Sequence, residues 1–284
     1  MIQYGMRAHD FSGPKPLTEF LDGLAAGGIR HIQLAFEKCF SDYDFSTGRY
    51  SEGFARYIGG ELDRRGLRAD VLGCYINPVC PTEELRRREL ARFVERLRYA
   101  KHIRAGMVGT ETGRYDDAMA VTPLTQSKEC WLTLLRSFET IAEAAEALGV
   151  TVGVEAVFNH TVSSPERMAQ FLGELRSPAV EVILDAANLV FPGESRAAQD
   201  EAVERAFDRF GDRISVLHLK DCVFDNGVQR CVPPGEGVVS FGALLRRVAR
   251  EKPEITGLLE ESSPARFAAD CAFFDSETKK AAGL

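Results

Sequence analysis

The sequence predicts an α/β fold, and within that class a single-domain (β/α)8 TIM barrel over residues 1–284. Three observations carry this. Short β-rich runs alternate with longer segments of helical period, and eight strand candidates each precede a helix candidate. Such alternation implies parallel strands joined by right-handed crossovers. Finally, 284 residues is a length that α/β barrels routinely occupy as one domain. A doubly wound open sheet is the competing arrangement.

Taken in order, Ile2 to Met6 is the first strand, followed by a helix with Leu17, Phe20, Leu21 and Leu24 on one face. "HIQLA" is the second strand. Its helix runs from Ser51, a candidate N-cap, to Arg65 and stops at Gly66. "LRADVLGCY" is the third, with a long helix over Thr82–Ala105 ended by Gly106. "MVGT" is the fourth, with a helix over Lys128–Leu148 ended by Gly149. "VTVGVEAV" is the fifth; in "SSPER", Ser164 caps its helix, Pro165 takes the first turn and Glu166 suits the dipole. "VEVILD" is the sixth, with a helix over Ala198–Phe210. "ISVLHLK" is the seventh, with a helix capped by Ser240. "ITGLLEE" is the eighth, and Pro264 begins a final, weaker helix. The long connections Phe36–Tyr50, Thr110–Ser127 and Asp221–Val239 all follow strands, so in a barrel they gather at the C-terminal face.

Composition narrows the function. The chain is 45% hydrophobic and 27% charged, ordinary for a globular protein. No apolar stretch approaches the roughly 18 residues of a membrane span, and "MIQYGMRAHDF" lacks the pattern of a signal peptide. A net charge of −7 with dispersed Lys and Arg argues against a nucleic-acid partner. The seven cysteines, at 39, 74, 80, 130, 222, 231 and 271, include no C-x-x-C spacing. That pattern predicts free thiols in a cytoplasmic protein, with Cys74 and Cys222 packed as small apolar residues. A homo-oligomer is left open.

The functional signal lies in the polar residues that end strands. A polar side chain at the C-terminal end of a barrel strand points at the active site. Strand five supplies Glu155, strand six Asp185, strand seven His218, and strand eight Glu260 beside Glu261. Singly, each has a plainer reading: Asp185 as a turn or helix cap, His218 as a core histidine, Glu260 as half of an ion pair. Jointly, three carboxylates on one mouth repel and desolvate each other unless a cation neutralises them. One divalent metal held by Glu155, Asp185, His218 and Glu260 removes that conflict. An oxygen-rich set with one nitrogen suits Mn²⁺ first, with Mg²⁺, Co²⁺ or Zn²⁺ as alternatives. Weaker candidates for substrate contacts are His9 and Asp10 after strand one, Lys38 after strand two, Asn77 after strand three and Glu111 after strand four.

The ordered set "VGVEAV", "VILDAANLV", "HLKD", "GEGVVSFGALL" and "GLLEES" resembles the sugar phosphate isomerase/epimerase superfamily. These are xylose isomerase-like TIM barrels that include keto-sugar 3-epimerases, hydroxypyruvate isomerases, inosose dehydratases and endonuclease IV. The resemblance implies that Glu155, Asp185, His218 and Glu260 are the metal ligands and that Glu155 and Glu260 form the catalytic acid/base pair. It departs at Asn188, where many sugar epimerases of this group carry a substrate-contacting histidine. His160 is the candidate imidazole from another loop, and Asn188 and Lys220 complete the expected substrate contacts. "GEGVVS" lacks a third glycine and follows a loop, so it is not a dinucleotide motif.

The expected activity is a metal-dependent epimerisation or isomerisation of a ketose-like sugar through an enediolate. A lyase or dehydratase acting on a keto-sugar or keto-inositol at the same site is the alternative. Two readings from other classes are weaker. An endonuclease IV-like phosphodiesterase calls for more than the five histidines present, and a non-catalytic sugar-binding barrel leaves the ligand set without a purpose.

Overall fold

A computed structural model describes residues 1–283. Its strands and helices alternate along the chain as β1 (Gln3–Arg7), α1 (Ala8–Phe11), α2 (Leu17–Ala26), β2 (His31–Leu34), α3 (Phe36–Cys39), α4 (Glu52–Arg64), β3 (Arg68–Gly73) and α5 (Glu83–Ile103). There follow β4 (Met107–Glu111), α6 (Lys128–Leu148), β5 (Val152–Glu155), α7 (Pro165–Leu175), β6 (Val180–Asp185), α8 (Arg196–Phe210) and β7 (Ile214–Leu219). The chain closes with β8 (Asp221–Asp225), β9 (Val228–Val232), α9 (Gly242–Glu251), β10 (Thr256–Leu259) and α10 (Phe267–Ala282). β1 to β7 and β10 pair in parallel to close a barrel in the order β1-β10-β7-β6-β5-β4-β3-β2. The predicted single-domain (β/α)8 barrel is therefore the fold.

The barrel separates two cores. Val71, Met107, Ile183, Val216 and Leu258 fill its interior, and a larger cluster packs strands against helices outside. Interior volume is tight. A Cβ on Gly153 would stand 2.3 Å from the Met107 sulfur and 2.9 Å from Ile183 Cδ1, so a side chain there would collide with the plug beneath the site. With the lower barrel filled by apolar side chains, the strand ends above it are free to carry polar ones.

Several local expectations hold. Ser164 Oγ accepts from Arg167 N and starts α7 at Pro165, and α6 ends at Gly149 with φ +66°. Others are corrected. Ser240 does not cap α9: its hydroxyl donates to Asp200 Oδ1, and that carboxylate also accepts from Ala243 N, so the cap comes from α8. α8 itself starts at Arg196, capped by Ser195. Pro264 lies in a turn and α10 starts at Phe267. Ser51 occupies the N-cap position of α4 without its hydroxyl capping the helix.

The connection read as Asp221–Val239 is more structured than expected. It opens with the antiparallel β8–β9 hairpin and continues into the "GEGVVS" segment. One buried carboxylate organises all of it. Asp221 Oδ2 accepts from Gly235 N at 3.0 Å and Gly237 N at 2.9 Å, while Oδ1 accepts from Cys222 N at 2.8 Å and Val239 N at 3.1 Å. The glycine at 237 lets the backbone approach: a Cβ there would stand 2.1 Å from Asp221 Oδ1.

Hydrogen bonds to a charged acceptor contribute roughly 1.5–3 kcal/mol each. Asp221→Ala should therefore lower the unfolding free energy by about 3 kcal/mol or more, read from urea denaturation. Asp221→Asn should not rescue it, because its amide would face the Gly235 and Gly237 N–H groups donor to donor. A midpoint unchanged in both variants would refute this anchoring.

Candidate active site

Each barrel strand delivers one polar side chain to the C-terminal mouth. Arg7 ends β1, Gln33 lies in β2, Tyr75 follows β3, and Glu111 ends β4. Glu155 ends β5, Asp185 ends β6, His218 is next to last in β7, and Glu260 follows β10. Strand register sets them side by side: Glu111 is the Cα partner of Glu155, and Asp185 of His218.

Glu155, Asp185 and His218 each offer a ligand atom, and the three atoms lie within 4.8 Å of one another. His218 is buried. Its Nδ1 stands 3.1 Å from Glu155 Oε2 and 3.5 Å from Glu260 Oε1, yet neither ring nitrogen has a hydrogen-bond partner among the described residues. Burial alone would depress its pKa; the Glu260 and Glu155 carboxylates overcome that and raise it to about 9. A buried imidazole of this kind beside carboxylate oxygens is the donor set of a divalent cation site, and the residues fit one.

Asp185 answers both readings of its place in the sequence. Its Oδ1 accepts from Ala187 N at 2.9 Å and Asn188 N at 3.3 Å, shaping the turn after β6. Its Oδ2 faces inward, 2.7 Å from Lys220 Nζ, in an ion pair without hydrogen-bond geometry. One oxygen builds the turn and the other serves the site. Burial raises its pKa against the opposing pull of Lys220.

Glu260 stands slightly apart from the three-residue cluster. Its Oε2 accepts a 2.9 Å hydrogen bond from Lys220 and lies 3.6 Å from the Arg7 guanidinium. Burial would raise its pKa, but Lys220, His218 and Arg7 hold it well below the usual carboxylate range. The Lys220 ammonium thus bridges Asp185 and Glu260.

A cavity of about 270 Å³ opens above this cluster. Of the expected substrate contacts, His9, Lys38, Glu111 and Lys220 line it, together with Glu155 and Glu260. His160 and Asn188 do not. His160 is buried behind Glu111, its Nδ1 3.5 Å from Glu111 Oε2, and Asn188 donates its amide to Glu155 Oε1. Asp10 also acts indirectly, accepting two 2.9 Å hydrogen bonds from Arg7. Asn77 ties the β4 loop through Arg114 O and Asp116 O, both at 2.9 Å. It lines a second, adjoining cavity of about 440 Å³ that shares Tyr75 and Glu111 with the first.

Sequence reasoning missed Arg7, Gln33 and Tyr75 among the cavity-lining residues. Gln33 Nε2 donates to the buried Tyr75 hydroxyl at 3.1 Å. Desolvation, then the Glu155 and Glu260 charges, push the Tyr75 phenol well above its ordinary pKa. Desolvation and Glu155 likewise push the Glu111 carboxyl up. The rule that found Glu155 and Asp185 applies equally to Arg7, which ends β1.

A closed parallel barrel with carboxylates and an imidazole at its C-terminal mouth has its polar cluster where enzymes of this architecture carry their active sites. The chain belongs to the xylose isomerase-like TIM barrel family, whose model matches residues 21–276. Solved structures share the fold at low sequence identity. A xylose isomerase-like TIM barrel protein from Mycobacterium smegmatis in complex with magnesium is 15% identical, with a TM-score of 0.70, over 99% of this chain and 97% of its own. D-psicose 3-epimerase from Clostridium cellulolyticum H10, solved with D-tagatose, is 16% identical, with a TM-score of 0.68, over 99% and 96%. The probable 3-DHS dehydratase AsbF from Bacillus anthracis is 13% identical, with a TM-score of 0.68, over 99% and 98%. No curated protein matches the sequence. Among the described residues, no helix is long and apolar enough to cross a membrane.

Burial depresses the pKa of His160 to about 3, with the Arg114 charge adding to the effect. Against an ordinary value near 6.5, the unfolded chain binds a proton between pH 6.5 and about 3 that the folded chain refuses. The stability contribution is therefore complete above pH 6.5 and falls away as the pH drops through that window. Thermal melts of His160→Gln should lose less stability than wild type between pH 6.5 and 4. Parallel curves would mean that His160 is protonated in the folded protein.

Proposed function

We propose that the protein is a divalent-metal-dependent epimerase or isomerase of a ketose-like sugar or sugar derivative. The observation that supports this reading is the approach of two glutamates, Glu155 and Glu260, to one buried imidazole nitrogen, His218 Nδ1, at 3.1 and 3.5 Å, with both carboxylates lining a small cavity of charged and polar groups. Glu155, Asp185, His218 and Glu260 would hold the metal, with Mn²⁺ the first candidate for this oxygen-rich set. When bound, the ion would polarise a substrate carbonyl and acidify the adjacent C–H.

The protein's own groups account for the proton movements. One glutamate removes the carbon-bound proton next to the carbonyl, and the other returns one from the opposite face, inverting the centre. Return to the neighbouring carbon instead interconverts aldose and ketose. Asn188 holds Glu155 by Oε1 and leaves Oε2 toward His218. Lys220 and Arg7 hold Glu260 and keep it anionic. His9 and Lys38 stand on the β1 and β2 side of the cavity, where substrate hydroxyls would find a donor or acceptor. The adjoining 440 Å³ cavity provides room for a substituent, which favours a sugar derivative over the smallest ketoses.

The same enolisation followed by loss of a leaving group from the next carbon would make the protein a dehydratase. Product analysis separates the two. A reducing, cytoplasmic setting is proposed on the seven free cysteines, five of them buried, at 39, 74, 80, 130 and 222.

Metal binding is testable without a substrate. Titration of the chelator-treated protein with Mn²⁺, followed by calorimetry, should give about one site per chain. Asp185→Asn should weaken it by more than the roughly 10–100-fold that loss of an outer partner costs. Equal affinity in wild type and variant would exclude this site.

For the proton transfers, Glu155→Gln and Glu260→Gln should each lose turnover by about 10²-fold or more, with a smaller loss of metal. In deuterated water, with a panel of ketoses and 3-keto-sugars, the variant that retains the abstracting glutamate should still exchange its substrate proton without inversion. Wild-type exchange and epimerisation in both variants would defeat the two-glutamate mechanism.

A further inference from the structure

The β8–β9 hairpin carries a dithiol that the proposed chemistry does not use. Cys222 and Cys231 face each other as Cα partners across the ladder. The turn between the strands is Asn226–Gly227, with φ of +49° and +79°, the signature of a two-residue type I′ turn. In such a hairpin the pair beside the turn, Asp225 and Val228, exchanges the ladder hydrogen bonds, and bonded and unbonded pairs then alternate. Counting outward, Cys222 and Cys231 fall on an unbonded position. The backbone of Cys222 agrees: its N–H donates to Asp221 Oδ1 at 2.8 Å and its carbonyl accepts from Val238 N at 2.8 Å. Neither group is directed at β9.

That placement matters for sulfur chemistry. In an unbonded antiparallel pair the Cα atoms lie about 4.5 Å apart with both side chains on one face. A disulfide spans Cα separations of roughly 4.4–6.8 Å, so the bridge closes without moving the strands. The thiol of Cys222 is placed by Gln229, whose Nε2 lies 3.3 Å from its sulfur. Gln229 is two residues from Cys231 on the same strand and therefore shares its face. The two thiols also differ in access: Cys222 is buried and Cys231 is partly open to solvent.

We propose that Cys222 and Cys231 form a site of covalent modification by low-molecular-weight disulfides, which convert the dithiol to an intrachain disulfide. Cys231, as its thiolate, attacks one sulfur of the small disulfide. The small S–S bond breaks, one small thiol leaves, and a mixed disulfide forms at Cys231. Cys222, as its thiolate, then attacks the Cys231 sulfur and expels the second small thiol. Two protein thiols are oxidised, one small disulfide is reduced, and the two protein S–H protons end on the two released thiols. The bridge would fix a hairpin that begins directly after Lys220 and is tied by Gln229 Nε2, at 2.7 Å, to Ala187 O in the turn after Asp185.

The test uses the full chain and oxidised glutathione. Native protein is incubated with the disulfide, free thiols are blocked, and the product is digested with trypsin, which cuts after the exposed Arg230 and separates the two cysteines. The expected product is a Cys222–Cys231 linked peptide pair from protein two hydrogens lighter than the reduced form, with no glutathione retained there. Cys222→Ser should instead trap a glutathione adduct on Cys231, and Cys231→Ser should leave Cys222 unmodified. A persistent wild-type adduct on Cys231, or the absence of the linked pair whatever else reacts, would overturn the proposal. The outcome does not depend on which sugar the enzyme turns over.

Discussion

The mouth of the barrel depends on charge compensation in a dry place. Glu111, Glu155, Asp185 and Glu260 converge there, and without cations their repulsion and desolvation would unfold the site or protonate it. The Lys220 ammonium supplies the nearest positive charge, within 2.9 Å of two of these carboxylates. Such buried pairs contribute little net stability when intact, and breaking one strands the partner at a cost of roughly 3–5 kcal/mol. Their value is positional: they fix where each carboxylate oxygen points.

The same network closes the barrel. β1 and β10 are the first and last strands and must find each other across the whole chain. Arg7 reaches Asp10 on its own side and Glu260 and Glu261 across the seam, while Asp10 accepts from Glu261 N at 2.8 Å. Asp10, Arg7, Glu260, Lys220 and Asp185 therefore form one chain of charges from β1 to β6. The residues that would meet the substrate also register the last strand against the first.

The fold was legible because its signal is repeated. Eight strand–helix units each carry the same periodicities, and Gly149 or Ser164 marks boundaries by local chemistry alone. The positions of Glu155, Asp185, His218 and Glu260 at the mouth were legible because each stands at or beside a strand end and contradicts its apolar context. Arg7 was missed because the sequence reading ends the first strand at Met6, one residue short; Gln33 was not legible, because a polar residue inside a strand looks like ordinary strand polarity until closure shows which face is inside. His160 and Asn188 were read as substrate contacts, but side-chain direction within a loop is set by tertiary packing, which turned one behind Glu111 and the other onto Glu155. The cap of α9 failed for the same reason: Asp200 comes from another helix, beyond any local rule. The hairpin was different, since Asn226–Gly227 between alternating residues is a local signal that was present and passed over.

The anchoring of residues 221–239 bears on how such an enzyme could change its substrate over generations. A long segment at the rim is held by four hydrogen bonds to one carboxylate, and that carboxylate is the segment's own first residue, two positions after β7 ends. Insertions or exchanged sequence between Val223 and Pro234 leave all four bonds available, because their donors lie at the two ends. The rim can thus be rewritten like a cassette in a fixed socket, while the acids beneath it keep their places.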